Sequence, residues 1–289
     1  MRRCLRCGAP FSGEGWRCPS CGYAPELIDG FPAFAPELAF GGSGFDSALF
    51  AELAQLEARN FWFRARNRLI VWALRRFFGD ARGLLEIGCG TGFVLSGIAA
   101  ALPHLRLAGS EAAAAGLGFA ASRVRGAELM QMDARRIPFE REFDVVGAFD
   151  VIEHIEDDRA VLREMHRAAR PGGGILLTVP QHPFLWSEFD VRAHHVRRYR
   201  ARELREKVLD AGFEIVKMAS FVSLLLPLMM LSRLARRPPK IGRDPLAELR
   251  LAGWLNALLE AVLGLERGLI RAGVSFPAGG SLLLVANKK

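Results

Sequence analysis

The sequence lacks any apolar stretch long enough to cross a membrane. Its longest run, Phe221 to Leu231, contains Ser223 and Pro227, whereas a spanning helix needs roughly 18 apolar residues or more. No apolar h-region follows Met1-Arg2-Arg3, where a cysteine pair comes at once, so a secretory signal is not expected. The expectation is a cytoplasmic protein with reduced cysteines, at most peripheral to a membrane. No repeat at a fixed period is visible. No Lys-Ser or Lys-Thr ends the one glycine-rich turn, which excludes a P-loop.

The 289 residues present are 51% hydrophobic, enough for one large domain plus a small appendage. A formal charge of +8 suits an anionic partner such as a nucleic acid, an acidic lipid or a charged small molecule. Composition divides the chain three ways. Residues 1–24 are rich in Cys, Gly and Pro. Residues 25–45 read as a linker. The main domain spans 46–289.

Cys4-x2-Cys7 and Cys18-x2-Cys21 form two knuckles, each followed by a glycine, Gly8 or Gly22. Four thiolates at this spacing suit a structural Zn2+ ion in a zinc ribbon. So small a unit could hardly hold its shape without a metal. Such a ribbon can bind RNA, bind a protein, or cap an enzyme. Cys89 lies in another motif and is not expected to be a ligand.

A helical pattern over 46–78 precedes alternating strands and helices. Strands are expected at 83–87, 106–109, 127–131, 143–149, 174–179, 213–219 and 281–287. This alternation predicts an α/β fold, Rossmann-like and doubly wound, with a mostly parallel seven-stranded sheet. A helical insertion at 222–280 precedes the last strand.

Glu86-Ile87-Gly88-Cys89-Gly90-Thr91-Gly92 ends the first of these strands and opens a helix. Glycines at 88, 90 and 92 let a ligand approach the backbone. Phe93 occupies the place where a dinucleotide site wants a small residue. About 20 residues on, Glu111 can accept both hydroxyls of a ribose.

Glu86-x-Gly88-x-Gly90-x-Gly92 resembles the first motif of class I S-adenosylmethionine-dependent methyltransferases. The resemblance continues in order through Asp133-Ala134, through Phe143 to His154, and through Ala169 to Gly174. It implies that Glu86 helps hold the methionine part of S-adenosylmethionine, that Gly88, Gly90 and Gly92 lie beside the ligand, and that Asp133 contacts the adenine amino group. It also places Phe149 and Asp150 near the methionine end.

Methyl transfer asks the protein to align the reactants and to remove an acceptor proton where there is one. Residues for this should follow the fourth and fifth strands. His154 does, and so does the stretch Leu185-Trp186-Ser187-x-x-Asp190-x4-His195-x-Arg197-Arg198-Tyr199, which is similar to a signature of a bacterial methyltransferase subgroup. His195 or His154 is a candidate general base, with Asp190 orienting a histidine. A structural cluster, or metal binding by His182, Asp190 and His194, are the alternatives. Arg197 and Arg198 could clamp an acidic acceptor or lie on a solvated face.

Upstream, Glu57 to Asn67 resembles the helix that precedes the first strand in that subgroup, which implies that it folds over the cofactor mouth; Phe61, Trp62 and Phe63 could instead be ordinary core. Within the insertion, the apolar run is followed by Arg233, Arg236, Arg237, Lys240 and Arg243, and a second helix is expected over about 245–272. This pair could form a substrate lid, contact lipid or a membrane surface, or make a dimer contact.

The leading expectation is a methyltransferase for a small-molecule acceptor, acting on oxygen with a histidine base. A zinc-ribbon RNA methyltransferase and a lipid-like acceptor at the membrane surface are the alternatives. The fourth strand ends in Asp150-Val151-Ile152-Glu153, unlike the Asn/Asp-Pro-Pro-Tyr motif of many amino-group methylases, and no aromatic-basic stacking face for RNA is evident.

Overall fold

The computed structural model describes residues 1–13, 15–41, 49–234 and 249–289. The sequence positions Arg236, Arg237, Lys240 and Arg243, and the domain boundary at 45/46, lie outside the described residues.

At the N-terminus, β1 (Arg2–Arg3) pairs antiparallel with β2 (Pro10–Phe11). Gly8 and Gly22 take positive φ, 77° and 72°, and their amides reach back to the carbonyls of Cys4 and Cys18, both at 2.9 Å. The ribbon packs on the main domain through Trp16, edge-on to Phe34 and Phe139, and through an Arg2–Glu128 ion pair of 3.2 Å.

The stretch read as linker carries two short strands, β3 (Glu26–Ile28) and β4 (Phe31–Ala33). They turn at Asp29-Gly30, both at positive φ, the geometry of a tight hairpin turn. This hairpin extends the main sheet. Ala33 pairs in parallel with Gln131, and the Gln131 side chain holds both the amide (3.1 Å) and the carbonyl (2.7 Å) of Ala35.

Next come the helices α1 (Phe50–Leu56) and α2 (Phe61–Phe77). Asn60 caps α2 by accepting from the Trp62 amide at 2.9 Å. The alternating core follows as β5 (Gly83–Ile87), α3 (Phe93–Ala101), β6 (Arg106–Glu111), α4 (Ala114–Arg123), β7 (Glu128–Gln131), β8 (Phe143–Phe149), α5 (Asp158–Ala168) and β9 (Ala169–Pro180). The chain continues through α6 (Glu188–Arg192), α7 (Ala201–Asp210), β10 (Phe213–Phe221), α8 (Leu226–Leu234), α9 (Gly253–Arg271) and β11 (Ser281–Lys288).

The sheet has nine strands in the order β10-β11-β9-β8-β5-β6-β7-β4-β3. Its seven main strands are those expected, and the hairpin supplies the other two. Strands β5 to β9 are parallel, while β11 runs antiparallel to both β9 and β10. Alternate residues of one strand feed opposite layers. Leu85 and Ile87 pack with α5 and α7 side chains such as Leu162 and Leu204, whereas Leu84 packs with Leu74, Ile98 and Leu117 of α2, α3 and α4. Every residue of β5 is buried, as a central parallel strand requires.

From β5 the chain moves to β6 and β7 on one side, then returns to β8 and β9 on the other. The crevice above the carboxyl ends of β5 and β8 is thus the topological switch point, where ligands bind in open α/β sheets. Within the insertion α9 lies on α2. Asn256 accepts from the Phe61 amide at 2.7 Å and donates to the Arg59 carbonyl at 2.9 Å, and Glu260 pairs with Arg64 and Arg68. No described helix is long and apolar enough to cross a membrane.

Candidate active site

A cavity of about 820 Å³ opens at the switch point, large for a small-molecule site. Its floor is the glycine-rich turn after β5. Gly88 has φ 65°, and a Cβ there would sit 2.5 Å from a methyl of Val151. At Gly92, φ 76°, a Cβ would stand 2.7 Å from the Ala120 Cα. Both positions exclude side chains, so the turn can lie against the following elements and leave its backbone open to a ligand.

Glu86 is 2% exposed, and its Oε2 has no hydrogen-bond partner among the described residues. Burial pushes its carboxyl well above the usual range, only partly offset by the charge of Arg66. A buried carboxylate oxygen without a partner is costly unless a ligand completes it. An ammonium group arriving over the turn would do so, which is what the methionine part of S-adenosylmethionine offers. Glu111 is already engaged. It accepts from the amides of Gly90 (2.9 Å), Ala112 (2.8 Å) and Ala113 (3.4 Å). Burial still raises its pKa against these bonds. A carboxylate has about four acceptor sites, so room remains for a hydroxyl. Asp133 is clamped by Arg135, whose Nε and Nη2 donate at 3.0 and 2.8 Å. Ala134 and Phe149 are buried in the wall.

Asp150 adopts φ 58° and binds Arg66 of α2 in an ion pair. It also accepts from Thr178 Oγ1 at 3.1 Å. Arg66 is 8% exposed and stacks over Trp62, 4.4 Å from the ring centroid. The sequence reading missed this tie between α2 and the end of β8. A signal was present: Arg66 lies on the stripe of Ala65, Leu69, Ile70 and Ala73, which is otherwise buried and apolar. Glu57 was not singled out either. It accepts from Thr91 Oγ1 (2.5 Å) and from Arg123 (2.6 Å), which pins the glycine-rich turn from above.

The opposite wall carries the histidines. Asp190 is fully buried and saturated. Its Oδ1 accepts from His195 Nδ1 (2.8 Å) and Arg198 Nε (2.7 Å), and its Oδ2 from the Ser187 amide (2.8 Å) and hydroxyl (2.9 Å). Burial would raise its pKa, but these bonds overcome burial and hold the group well below the usual carboxylate range. An ionised Asp190 can only accept, so Nδ1 of His195 donates to it, and Nε2 is the ring nitrogen turned away from Asp190. His154 lies edge-on to His195, ring centroids 4.6 Å apart. Burial, helped by His195, depresses its pKa to about 4, so the ring is neutral near pH 7, and its Nδ1 has no partner among the described residues. Beside both stands Glu153, fully buried, with neither carboxylate oxygen bonded among the described residues.

The structure thus brings His195, His154 and Asp190 together, with Glu153 added. It does not bring His182 or His194 to them as a metal site. His182 stacks on Phe184, His194 is exposed, and Asp190 has no free acceptor. The signature residues are explained locally. Arg198 serves Asp190, while Arg197 (2.7 Å) and Tyr199 (2.6 Å) both bind Asp158. Arg198 lines the cavity, whereas Arg197 does not.

The cavity roof is apolar. Phe61, Phe189, Leu225, Met229, Leu249 and Leu259 line it. In the N-terminal ribbon, Cys4 Sγ stands 3.5 Å from Cys21 Sγ, and Cys7 Sγ 3.7 Å from Cys18 Sγ. Tetrahedral zinc with bonds of about 2.3 Å places sulfurs about 3.8 Å apart, so the four thiols fit that ion.

Known proteins agree with this geometry. The methyltransferase domain family matches residues 54–218, more than half of the chain. A Mycobacterium tuberculosis protein, described as a probable S-adenosylmethionine-dependent methyltransferase, is 30% identical over 169 residues, covering 57% of this chain and 60% of its own length. A ubiquinone biosynthesis O-methyltransferase of Pseudomonas aeruginosa is 30% identical over 194 residues, covering 57% of this chain and 83% of that relative. Among solved structures, the [4+2]-cyclase SpnF superposes with a TM-score of 0.55 at 22% identity, over 78% of this chain and 82% of that one. That likeness concerns the fold. The match to the family and the glycine-rich turn over a partnerless Glu86 lead to one conclusion: this chain belongs to the methyltransferase domain family.

Proposed function

We propose that the protein transfers the methyl group of S-adenosylmethionine to an oxygen of a small, largely apolar acceptor. The observation that carries this reading is the pairing of two incomplete buried groups across one cavity. Glu86 lacks a partner on the floor, and the Glu153–His154–His195 cluster lacks one on the opposite wall.

When bound, S-adenosylmethionine supplies a methyl group already activated on a sulfonium. Glu86 receives the ammonium of its methionine part. Glu111 takes the ribose hydroxyls with the acceptor sites left by the turn amides. Asp133 and Ala134 border the adenine, and Asp133 receives the adenine amino group beside Arg135. Gly88, Gly90 and Gly92 give the donor its close backbone bed. Phe149 and Asp150 flank the methionine end, and Arg66 holds Asp150 in place.

On the acceptor side, the apolar roof orients the substrate. Asp190 fixes the imidazole of His195, and its Nε2 takes the hydroxyl proton. The oxygen pair then forms the bond to the methyl carbon, and the pair of the broken carbon–sulfur bond stays on sulfur. A base placed in this way contributes about 10² to 10⁴ in rate. The relative named for ubiquinone biosynthesis acts, by its name, as an O-methyltransferase, which fits an apolar roof of this kind. The four cysteines hold a structural zinc ion, and the ribbon acts as a cap on the sheet edge.

The test has two arms. Calorimetry should show one S-adenosylmethionine per chain. Labelled methyl should pass to members of a panel of phenols and quinols. Failure of donor binding would overturn the whole reading, and transfer to RNA instead of the panel would overturn the acceptor class.

A further inference from the structure

We infer that Glu153, His154 and His195 form a binding site for one divalent transition-metal ion, distinct from the four-cysteine ribbon. Three observations converge. One ligand atom from each of the three residues lies within 4.8 Å of the others. Among the described residues, both carboxylate oxygens of Glu153 are buried without a hydrogen-bond partner, and so is Nδ1 of His154. Nε2 of His195 stands 4.0 Å from Glu153 Oε1, while the other ring nitrogen, Nδ1, is occupied by Asp190.

Each feature suits a metal better than a packed core. A native interior seldom leaves both oxygens of a carboxyl group unbonded. The Asp190–His195 pair has the form of a carboxylate that orients a ligating imidazole from behind. A cation with bonds of about 2.1 Å holds donors about 3 to 4 Å apart. The Glu153–His195 pair is therefore within reach, and the widest separation closes by small side-chain adjustment. Two imidazoles and one carboxylate favour zinc, cobalt, manganese or ferrous iron over magnesium or calcium. Three protein ligands leave open positions, and these face the cavity.

The inference rests on the reading of this cavity as the methyl-transfer site, and it changes one atom's task. In the metal-loaded protein Nε2 of His195 is a ligand. The cation holds the acceptor hydroxyl and lowers its pKa, and the proton leaves to solvent water. The metal-free protein keeps Nε2 as the direct proton acceptor.

The experiment uses the full chain with its ribbon loaded with zinc, which four thiolates retain against cobalt. Co2+ is titrated in and followed by its d–d absorption. One Co2+ per chain is expected, with nitrogen and oxygen coordination and no thiolate charge-transfer band. Glu153→Gln and His154→Asn should each weaken binding more than about tenfold, and Asp190→Asn by about 10- to 100-fold. Two ligand variants guard against one that misfolds, and circular dichroism reports folding in each. Absence of Co2+ uptake by the wild type, or equal uptake by wild type and both folded variants, overturns the site. Donor calorimetry on the same samples separates the two ideas. S-adenosylmethionine binding without Co2+ uptake defeats the metal site alone, while loss of donor binding in the wild type defeats the methyl-transfer reading.

Discussion

The two ends of the cavity are built from different materials. The proposed donor end is mostly backbone, supplied by one continuous turn, Gly88 to Gly92, and the strand ends beside it. The proposed acceptor end is mostly side chain, gathered from Asp150 to His154, from Phe189 to Arg198, and from the roof of α8 and α9. A backbone bed tolerates little change in shape but needs few particular side chains. A side-chain wall can be altered residue by residue, so it is where related enzymes can differ in what they accept.

If this division holds, a change on one wall should leave the other wall intact. His195→Ala should have the largest effect on turnover, a fall in kcat of about 10² to 10⁴. Donor affinity measured by calorimetry should stay within about threefold. A comparable loss of donor affinity would mean that the two ends are one coupled unit.

Glu86→Gln should do the reverse. Losing a charge-assisted contact of about 1.5 to 3 kcal/mol should weaken donor binding by about 10- to 100-fold. The pH dependence sharpens this point. Burial raises the Glu86 pKa in the empty site, and only the ionised form attracts an ammonium. Wild-type donor affinity should therefore climb as pH rises through that raised pKa, then level off. Glu86→Gln should lose that slope, and a slope that persists would assign it to another group.

Two smaller effects should leave both walls alone. Cys18→Ser should release the ribbon zinc and lower Tm by several degrees, with less than about twofold change in donor affinity; metal analysis and calorimetry on one sample decide this. Asp158 lies behind the acceptor wall, where burial would raise its pKa but Lys207, Tyr199 and Arg197 hold it below its ordinary value of 3.8. A carboxylate depressed in this way stabilises the fold above about pH 4, and this contribution is lost as pH falls through the folded value. Thermal melts between pH 7 and 3 should show a steeper acid decline in the wild type than in Asp158→Asn. At pH 7 the variant should melt a few degrees lower.

The donor end was legible because its chemistry is local in sequence. Three glycines at alternate positions, with Glu86 before them and Glu111 about 20 residues later, spell a strand, a turn and a ligand bed. What that reading missed came from elsewhere in the chain. Arg135 binds Asp133, Arg66 crosses from α2 to Asp150, and Glu57 pins Thr91. The hairpin at residues 26–33 was passed over as linker, because three-residue strands containing Pro32 carry almost no periodicity. Asp29-Gly30 was its one visible sign.

At the acceptor end, the sequence singled out Asp190, His195 and His154 but left open which histidine Asp190 serves. It also passed over Glu153, which stands next to His154 in the chain and looks like an ordinary surface acid until β8 and its turn bury it.

Composition and motif order alone determined the alternating α/β core, the seven main strands, the cysteine knuckles and the glycine-rich bed, because each depends on neighbours within a few residues. Tertiary structure decided the nine-strand sheet, the grip of Arg66 on Asp150, and the meeting of Glu153, His154 and His195. Those contacts join segments tens of residues apart, and their geometry comes from the packing of helices and strands around the switch point.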